Sequence, residues 1–127
     1  MAAKRMLLIV EDDRDIRMDL ADFLDSEGFQ VLQAVNGREA LEVLRNSNPI
    51  PDLILLDLMM PEMNGETFRR EQLKDPRIKG IPTIVISADL FAFPTMRELG
   101  VQHCLRKPID LDRLMALIQA PADPLNV

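Results

Sequence analysis

Cysteine occurs once in the 127 residues, at Cys104, so no internal disulfide can staple the fold. A lone thiol fits a reducing compartment, and Cys104 reads as a small strand residue rather than a redox sensor. Histidine also occurs once, and His103 reads as a surface or interface residue rather than a metal ligand. No apolar run approaches the ~20 residues that cross a bilayer. Only five apolar residues follow Met1-Ala2-Ala3-Lys4-Arg5, too few for the core of a secretory leader, so a cytoplasmic location is expected. Basic excess is missing too: the net charge of −6 argues against a general binder of nucleic-acid backbones. What is present is 47% hydrophobic and 28% charged residues, the balance of a soluble globular chain with material for one core.

Apolar runs and helical periods alternate five times. The runs are 6–10, 29–35, 53–56, 82–86 and 101–105, and the first, third and fourth are nearly continuous. Continuous runs fit strands covered on both faces. Ile16, Leu20, Phe23 and Leu24 share one helical face that Gly28 can end. Asn36-Gly37 can start a second helix carrying Ala40, Leu41 and Leu44; a third runs from about Asn64 to Lys74 with Phe68 and Leu73. A fourth lies between Ser87 and Gly100, where Pro94 must fall in the first turn or kink the helix. Asp110 can cap a fifth, with Leu111, Leu114, Leu117 and Ile118 on one face. Alternating units with short connections imply right-handed crossovers and a parallel sheet. The expectation is a single α/β domain over 1–127, a flavodoxin-like doubly wound (βα)5 fold with strand order 2-1-3-4-5. Its core would cover about 5–119, with residues 120–127 as a tail.

In that order strands 1 and 3 are neighbours at the topological switch point, where open α/β sheets bind ligands. Glu11-Asp12-Asp13 and Asp57 then meet at one edge, and carboxylates so close repel unless a cation or protons intervene. Ser87 ends the fourth run and Lys107 follows the fifth, both toward the same edge. Acids, a hydroxyl and an ammonium together suit phosphoryl transfer, where catalysis is mostly positioning and charge neutralisation. Asp57 would attack phosphorus and form an acyl phosphate. Mg²⁺ would be held by a couple of carboxylates and a phosphate oxygen. Lys107 would neutralise a second phosphoryl oxygen, and Ser87 would hydrogen-bond a third.

Four stretches carry a resemblance: Val10-Glu11-Asp12-Asp13, Leu56-Asp57-Leu58-Met59-Met60-Pro61-Glu62-Met63-Asn64-Gly65, Ile86-Ser87-Ala88 and Lys107-Pro108. In this order, each at a strand end, they make the chain resemble the receiver domain of two-component response regulators over roughly residues 5–119. The resemblance implies that Asp57 is the phosphoacceptor, charged from a phosphohistidine. It implies that Asp12 ligates Mg²⁺ directly, Glu11 acts through water, and Asp57 and the Met59 carbonyl complete the protein ligands. Asp13 then reads as a helix-start residue, and the Lys107–Pro108 peptide is expected to be cis. Phosphorylation would place about −2 charge on Asp57. Ser87 would swing toward it, and the surface of helix 4, strand 5 and helix 5 would change.

The strand-5 position three before Lys107 usually holds Tyr or Phe in that family, and here it is Cys104. Coupling at this switch position then relies either on backbone shifts in helix 4 or on His103 or Phe91. Phe91 and Phe93 read equally as core and as docking patch. The implied partners are a sensor histidine kinase or histidine phosphotransfer protein and a downstream protein, with no direct nucleic-acid contact and a monomeric or weakly dimeric state. Gln102 and His103 stand where the dimerising, DNA-binding branch carries acids. Two enzyme or cofactor readings fit less well. An aspartyl phosphohydrolase would need a second acid where Met59 stands, and a flavodoxin's phosphate loop would be repelled by Glu11-Asp12-Asp13. The chain is therefore expected to catalyse only its own aspartyl phosphorylation and dephosphorylation.

Overall fold

A computed structural model describes residues 5–119. Five strands alternate with five helices: β1 (Met6–Val10), α1 (Arg14–Ser26), β2 (Gln30–Ala34), α2 (Gly37–Asn46), β3 (Leu53–Asp57), α3 (Gly65–Leu73), β4 (Thr83–Ser87), α4 (Phe93–Glu98), β5 (His103–Arg106) and α5 (Leu111–Gln119). All strand pairs are parallel, in the order β2-β1-β3-β4-β5. The flavodoxin-like (βα)5 architecture expected from the sequence is the one observed. The tail expected at 120–127 lies outside the described residues.

Alternation along each strand divides the core into two layers. Leu8, Val10, Ile54, Leu56 and Val85 face Ala40, Leu41, Leu44, Phe68 and Met96 of α2, α3 and α4. Leu7, Ile9, Leu55, Ile84, Ile86 and Leu105 face Leu20, Leu24, Leu114 and Ile118 of α1 and α5. Both faces of β1, β3 and β4 are therefore dry, which is why their runs are continuous in sequence.

Side-chain caps set where the first three helices begin. Asp13 Oδ1 accepts from Ile16 N (3.0 Å), Asn36 Oδ1 from Glu39 N (2.8 Å) and Asn64 Oδ1 from Thr67 N (2.9 Å). Gly28, at φ 95°, follows the end of α1 in a conformation that side chains disfavour.

Two elements depart from the sequence reading. The fourth helix is only six residues, because the chain after β4 is held in turns first. Ser87 Oγ accepts from Asp89 N (3.3 Å), and Asp89 Oδ1 accepts from Phe91 N (2.8 Å), so side chains satisfy backbone groups that a helix would use. Pro94 then falls in the first turn. The fifth strand starts at His103 rather than 101, because Val101 N still donates to Met96 O (3.0 Å) and closes the end of α4.

Candidate functional site

Register brings the strand ends level. Val10 pairs with Leu56, and Asp57 with Ile86, so Glu11 lies beside Asp57 and Ser87 one residue further along. Arg106 pairs with Ser87, and Lys107 N donates to Ser87 O (3.0 Å), which carries the lysine to the same edge. The Lys107–Pro108 peptide is cis, as the resemblance implied.

Glu11 and Asp57 are buried there, while Asp12 is exposed. One carboxylate oxygen from each lies within 4.8 Å of the others. Lys107 Nζ is 2.5 Å from Glu11 Oε1 and 3.4 Å from Asp57 Oδ2. A single ammonium thus pairs with two carboxylates of a three-carboxylate cluster. Among the described residues, Lys107 Nζ is the sole polar partner of Glu11 Oε1 inside the cluster. Burial pushes the Glu11 carboxyl up to about 7; Asp57 adds to the rise, and the bonds from Lys107 and Asp13 N oppose it. For Lys107, burial lowers the pKa, but the bond to Glu11 and the charges of Asp57 and Glu11 together raise it above the ordinary lysine value.

The loop after β3 is folded tightly against the site. Met59 N donates to Asp57 Oδ1 (3.3 Å), orienting the carboxylate, while the Met59 side chain is exposed. Gly65 N donates to Leu58 O (3.0 Å), and a Cβ at residue 65 would lie 2.6 Å from Asp57 O. Only glycine permits that approach. Glu62 reaches φ 65°, a strained position for a side chain that long, and its Oε2 accepts from Asn36 Nδ2 (3.1 Å).

Glu11, Asp12, Asp57 and Lys107 are thus brought together. Ser87 is fully buried at the same edge, with Oγ donating to Asp89 O (2.8 Å). Cys104 is elsewhere: it pairs with Val85 in the sheet and packs against the α4-side core, where burial raises its thiol pKa. Phe93 packs against that core too, whereas Phe91 is 89% exposed, so the two phenylalanines take different roles. The sequence reading passed over Glu62 and also Arg69, a buried cation on α3. Its signal was the helical spacing of Gly65, Phe68, Arg69 and Gln72, which shares one buried face.

Residues 7–119 match the family described as the response regulator receiver domain. The chain belongs to that family. A receiver domain accepts a phosphoryl group on an aspartate in two-component signalling. Among curated relatives, this receiver is 35% identical over 111 residues to sporulation initiation phosphotransferase F of Bacillus subtilis, covering 85% of this chain and 86% of that protein. It is 33% identical over 116 residues to the sensor histidine kinase CheAY of Helicobacter pylori, covering 90% of this chain. The chain spans only 14% of that kinase, so the kinase's activity is not carried over. The crystal structure of a response regulator receiver protein from Pseudomonas putida superposes with a TM-score of 0.85 at 30% identity, covering 93% of this chain and 98% of that one.

Receiver domains generally bind Mg²⁺ at an acidic pocket, and Glu11, Asp12 and Asp57 form such a cluster here. The donor set fits a hard divalent cation: it is all oxygen and it carries more negative charge than Lys107 offsets. Relatives of this receiver work with histidine kinases. Among the described residues no helix is long and apolar enough to cross a membrane.

Proposed function

We propose that this receiver takes a phosphoryl group onto Asp57 from a phosphohistidine of a sensor kinase or histidine phosphotransfer protein, and relays the state to a downstream protein. The observation that carries this is the buried Asp57 carboxylate, with Lys107 Nζ 3.4 Å away and Glu11 and Asp12 beside it at the switch point of the sheet. A carboxylate oxygen of Asp57 forms the new O–P bond as the donor's N–P bond breaks. The electron pair of that bond leaves on the imidazole nitrogen. Met59 N, already bonded to Oδ1, keeps the carboxylate aimed during attack. Lys107 lies close enough to follow the charge from carboxylate to phosphoryl oxygen, and Ser87 exchanges its bond to Asp89 O for one to the phosphoryl group.

Asp12, Asp57 and the Met59 carbonyl would hold Mg²⁺ directly, and Glu11 would act through water. When bound, the ion supplies charge neutralisation for the phosphoryl oxygens. Asp12 is the exposed member of the cluster, whereas Glu11 is already engaged by Lys107, which supports this division. The phosphorylated form alters the α4–β5–α5 surface, with Cys104 at the switch position and Ser87 as the moving hydroxyl. Residues 5–119 carry the transfer chemistry as one domain. The protein works in the cytoplasm as a monomer or weak dimer, without direct nucleic-acid contact, and turns over no small phosphoester.

Intact mass after incubation with acetyl phosphate tests this reading. The expected result is a gain of one hydroxylamine-labile phosphoryl group that requires Mg²⁺ and is absent in Asp57→Asn. Full labelling of Asp57→Asn would move the acceptor elsewhere.

A further inference from the structure

Arg69 is 6% exposed and makes no ion pair among the described residues. Its Nε and Nη1 donate to neutral oxygens instead. Nε donates to Leu99 O (3.0 Å), and Nη1 donates to Gln72 Oε1 (2.9 Å) and Thr83 Oγ1 (3.1 Å). Gln72, itself fully buried, donates through Nε2 to Ile78 O (3.0 Å) and Ile81 O (3.2 Å). One fork therefore ties α3, the approach to β4 and the first residue of β4 to a single carbonyl beyond α4.

That carbonyl has a special position. Leu99 is the C-cap of α4, where the last carbonyls of a helix lack intrahelical donors and the helix dipole is negative. A buried cation there stabilises the end geometrically and electrostatically. Gly100 makes room for it: it sits at φ +88°, and a Cβ there would come within 3.2 Å of Arg69 Nη2. The opposite end of α4 has nothing comparable. Ala92 offers no side-chain cap, and the turns of Ser87, Asp89 and Phe91 lead into it from the acidic site. α4 thus runs from the phosphorylation edge, where it starts without a side-chain cap although Ala92 and Phe93 pack on the core, to the opposite end of the sheet, where Arg69 Nε holds its C-cap carbonyl.

We infer that Arg69 is a positioning residue that fixes the C-terminal end of α4, so that the change launched from Ser87 moves the N-terminal end of the helix about a held pivot. This rests on the reading that phosphorylation of Asp57 is relayed through the loop between β4 and α4. With Cys104 unable to repeat the inward swing of a bulky ring, a one-ended motion of α4 is a route that needs no ring at that position.

The full chain and its Arg69→Leu variant are compared by amide hydrogen exchange and by amide chemical shifts, with and without phosphorylation from acetyl phosphate and Mg²⁺. In the unphosphorylated variant, exchange at Leu99, Gly100 and Val101 rises about tenfold or more, as expected for losing a charged hydrogen bond. Amides of β1 stay unchanged, which separates local release from general destabilisation. Phosphorylation of the wild type shifts amides at 88–93 strongly and those at 99–101 little; in the variant the shifts extend through 101. Phosphoryl gain by mass is the same in both. If the variant disturbs β1, Arg69→Lys serves instead, since lysine keeps the charge but cannot make the fork. Unchanged exchange at 99–101, or wild-type shifts there as large as at 88–93, would overturn the inference. Absence of any phosphoryl gain in the wild type would sink the reading beneath it, while the exchange comparison still decides whether Arg69 holds the helix end.

Discussion

At the carboxyl edge of the sheet one ammonium serves a cluster of three carboxylates and pairs with the two buried ones; at the opposite end of β4 one guanidinium donates only to neutral oxygens. Both regions keep charge out of water, but they do so with opposite consequences. The acidic cluster is under-compensated, so it responds to any change in its charge balance: Mg²⁺ or protons relieve it, and a phosphoryl group adds negative charge to it. The Arg69 network is held by three hydrogen bonds to neutral acceptors, and its cation does not titrate near neutral pH. One region is built to change state and the other to stay put, and α4 is the element strung between them.

Removing each cation gives the sharpest contrast. Lys107→Met leaves Glu11 and Asp57 buried without a counter-charge, and at pH 8 in chelator it should cost about 3 kcal/mol of unfolding free energy. Saturating Mg²⁺ should recover a large part of that loss. Arg69→Leu should cost less, about 2 kcal/mol from orphaned Leu99 O and Gln72 Oε1, and Mg²⁺ should recover none of it. Denaturant titrations of both variants with and without Mg²⁺ check this. Equal metal rescue of both would erase the distinction.

The acid cluster itself divides further. Asp12→Ala should weaken Mg²⁺ binding by about tenfold or more, consistent with loss of a carboxylate ligand. Asp13 already spends its carboxylate capping α1, so Asp13→Ala should cost about 1 kcal/mol of stability with little change in affinity. Calorimetric titration of both variants would show the reverse order if the ligands are misassigned.

Proton uptake offers a subtler separation. Glu11 is raised from 4.5 to about 7 in the fold. A raised folded pKa means that the native state binds the proton more tightly than the unfolded chain. The stabilisation is fully present below pH 4.5 and is lost as pH rises through about 7. In chelator, unfolding free energy should therefore show a component that falls between pH 4.5 and 7 in the wild type, is missing in Glu11→Gln, and persists in Arg69→Leu. The smallest effect belongs to the loop beside the site. Glu62→Gly relieves a left-handed backbone and should raise stability by about 0.5–1 kcal/mol, despite losing an exposed bond from Asn36.

The acidic site was legible in the sequence because it is written at strand ends. An apolar run that stops on a carboxylate fixes both a buried strand and the group at its lip, and Leu53–Asp57 and Met6–Glu11 say so without knowledge of the rest. Strand order followed from alternation and handedness. The extent of α4 was not legible, because Ser87 and Asp89 compete for the backbone groups through turns that no hydrophobic period reports. Arg69 was missed for a related reason. A charged residue on a helix reads as solvated unless its acceptors are known, and these come from Leu99 and Thr83, 30 and 14 residues away. Cys104 showed only that the usual ring is absent; its packing against the α4 side of the core required the fold.

The most direct test of the account is where the phosphoryl group resides. Reducing the phosphorylated protein with borohydride converts an acyl phosphate to the corresponding alcohol, and peptide mapping then reads its position. The account predicts homoserine at position 57 alone, dependent on Mg²⁺ during labelling. Reduction at position 11 or 12 with Asp57 unmodified would contradict it.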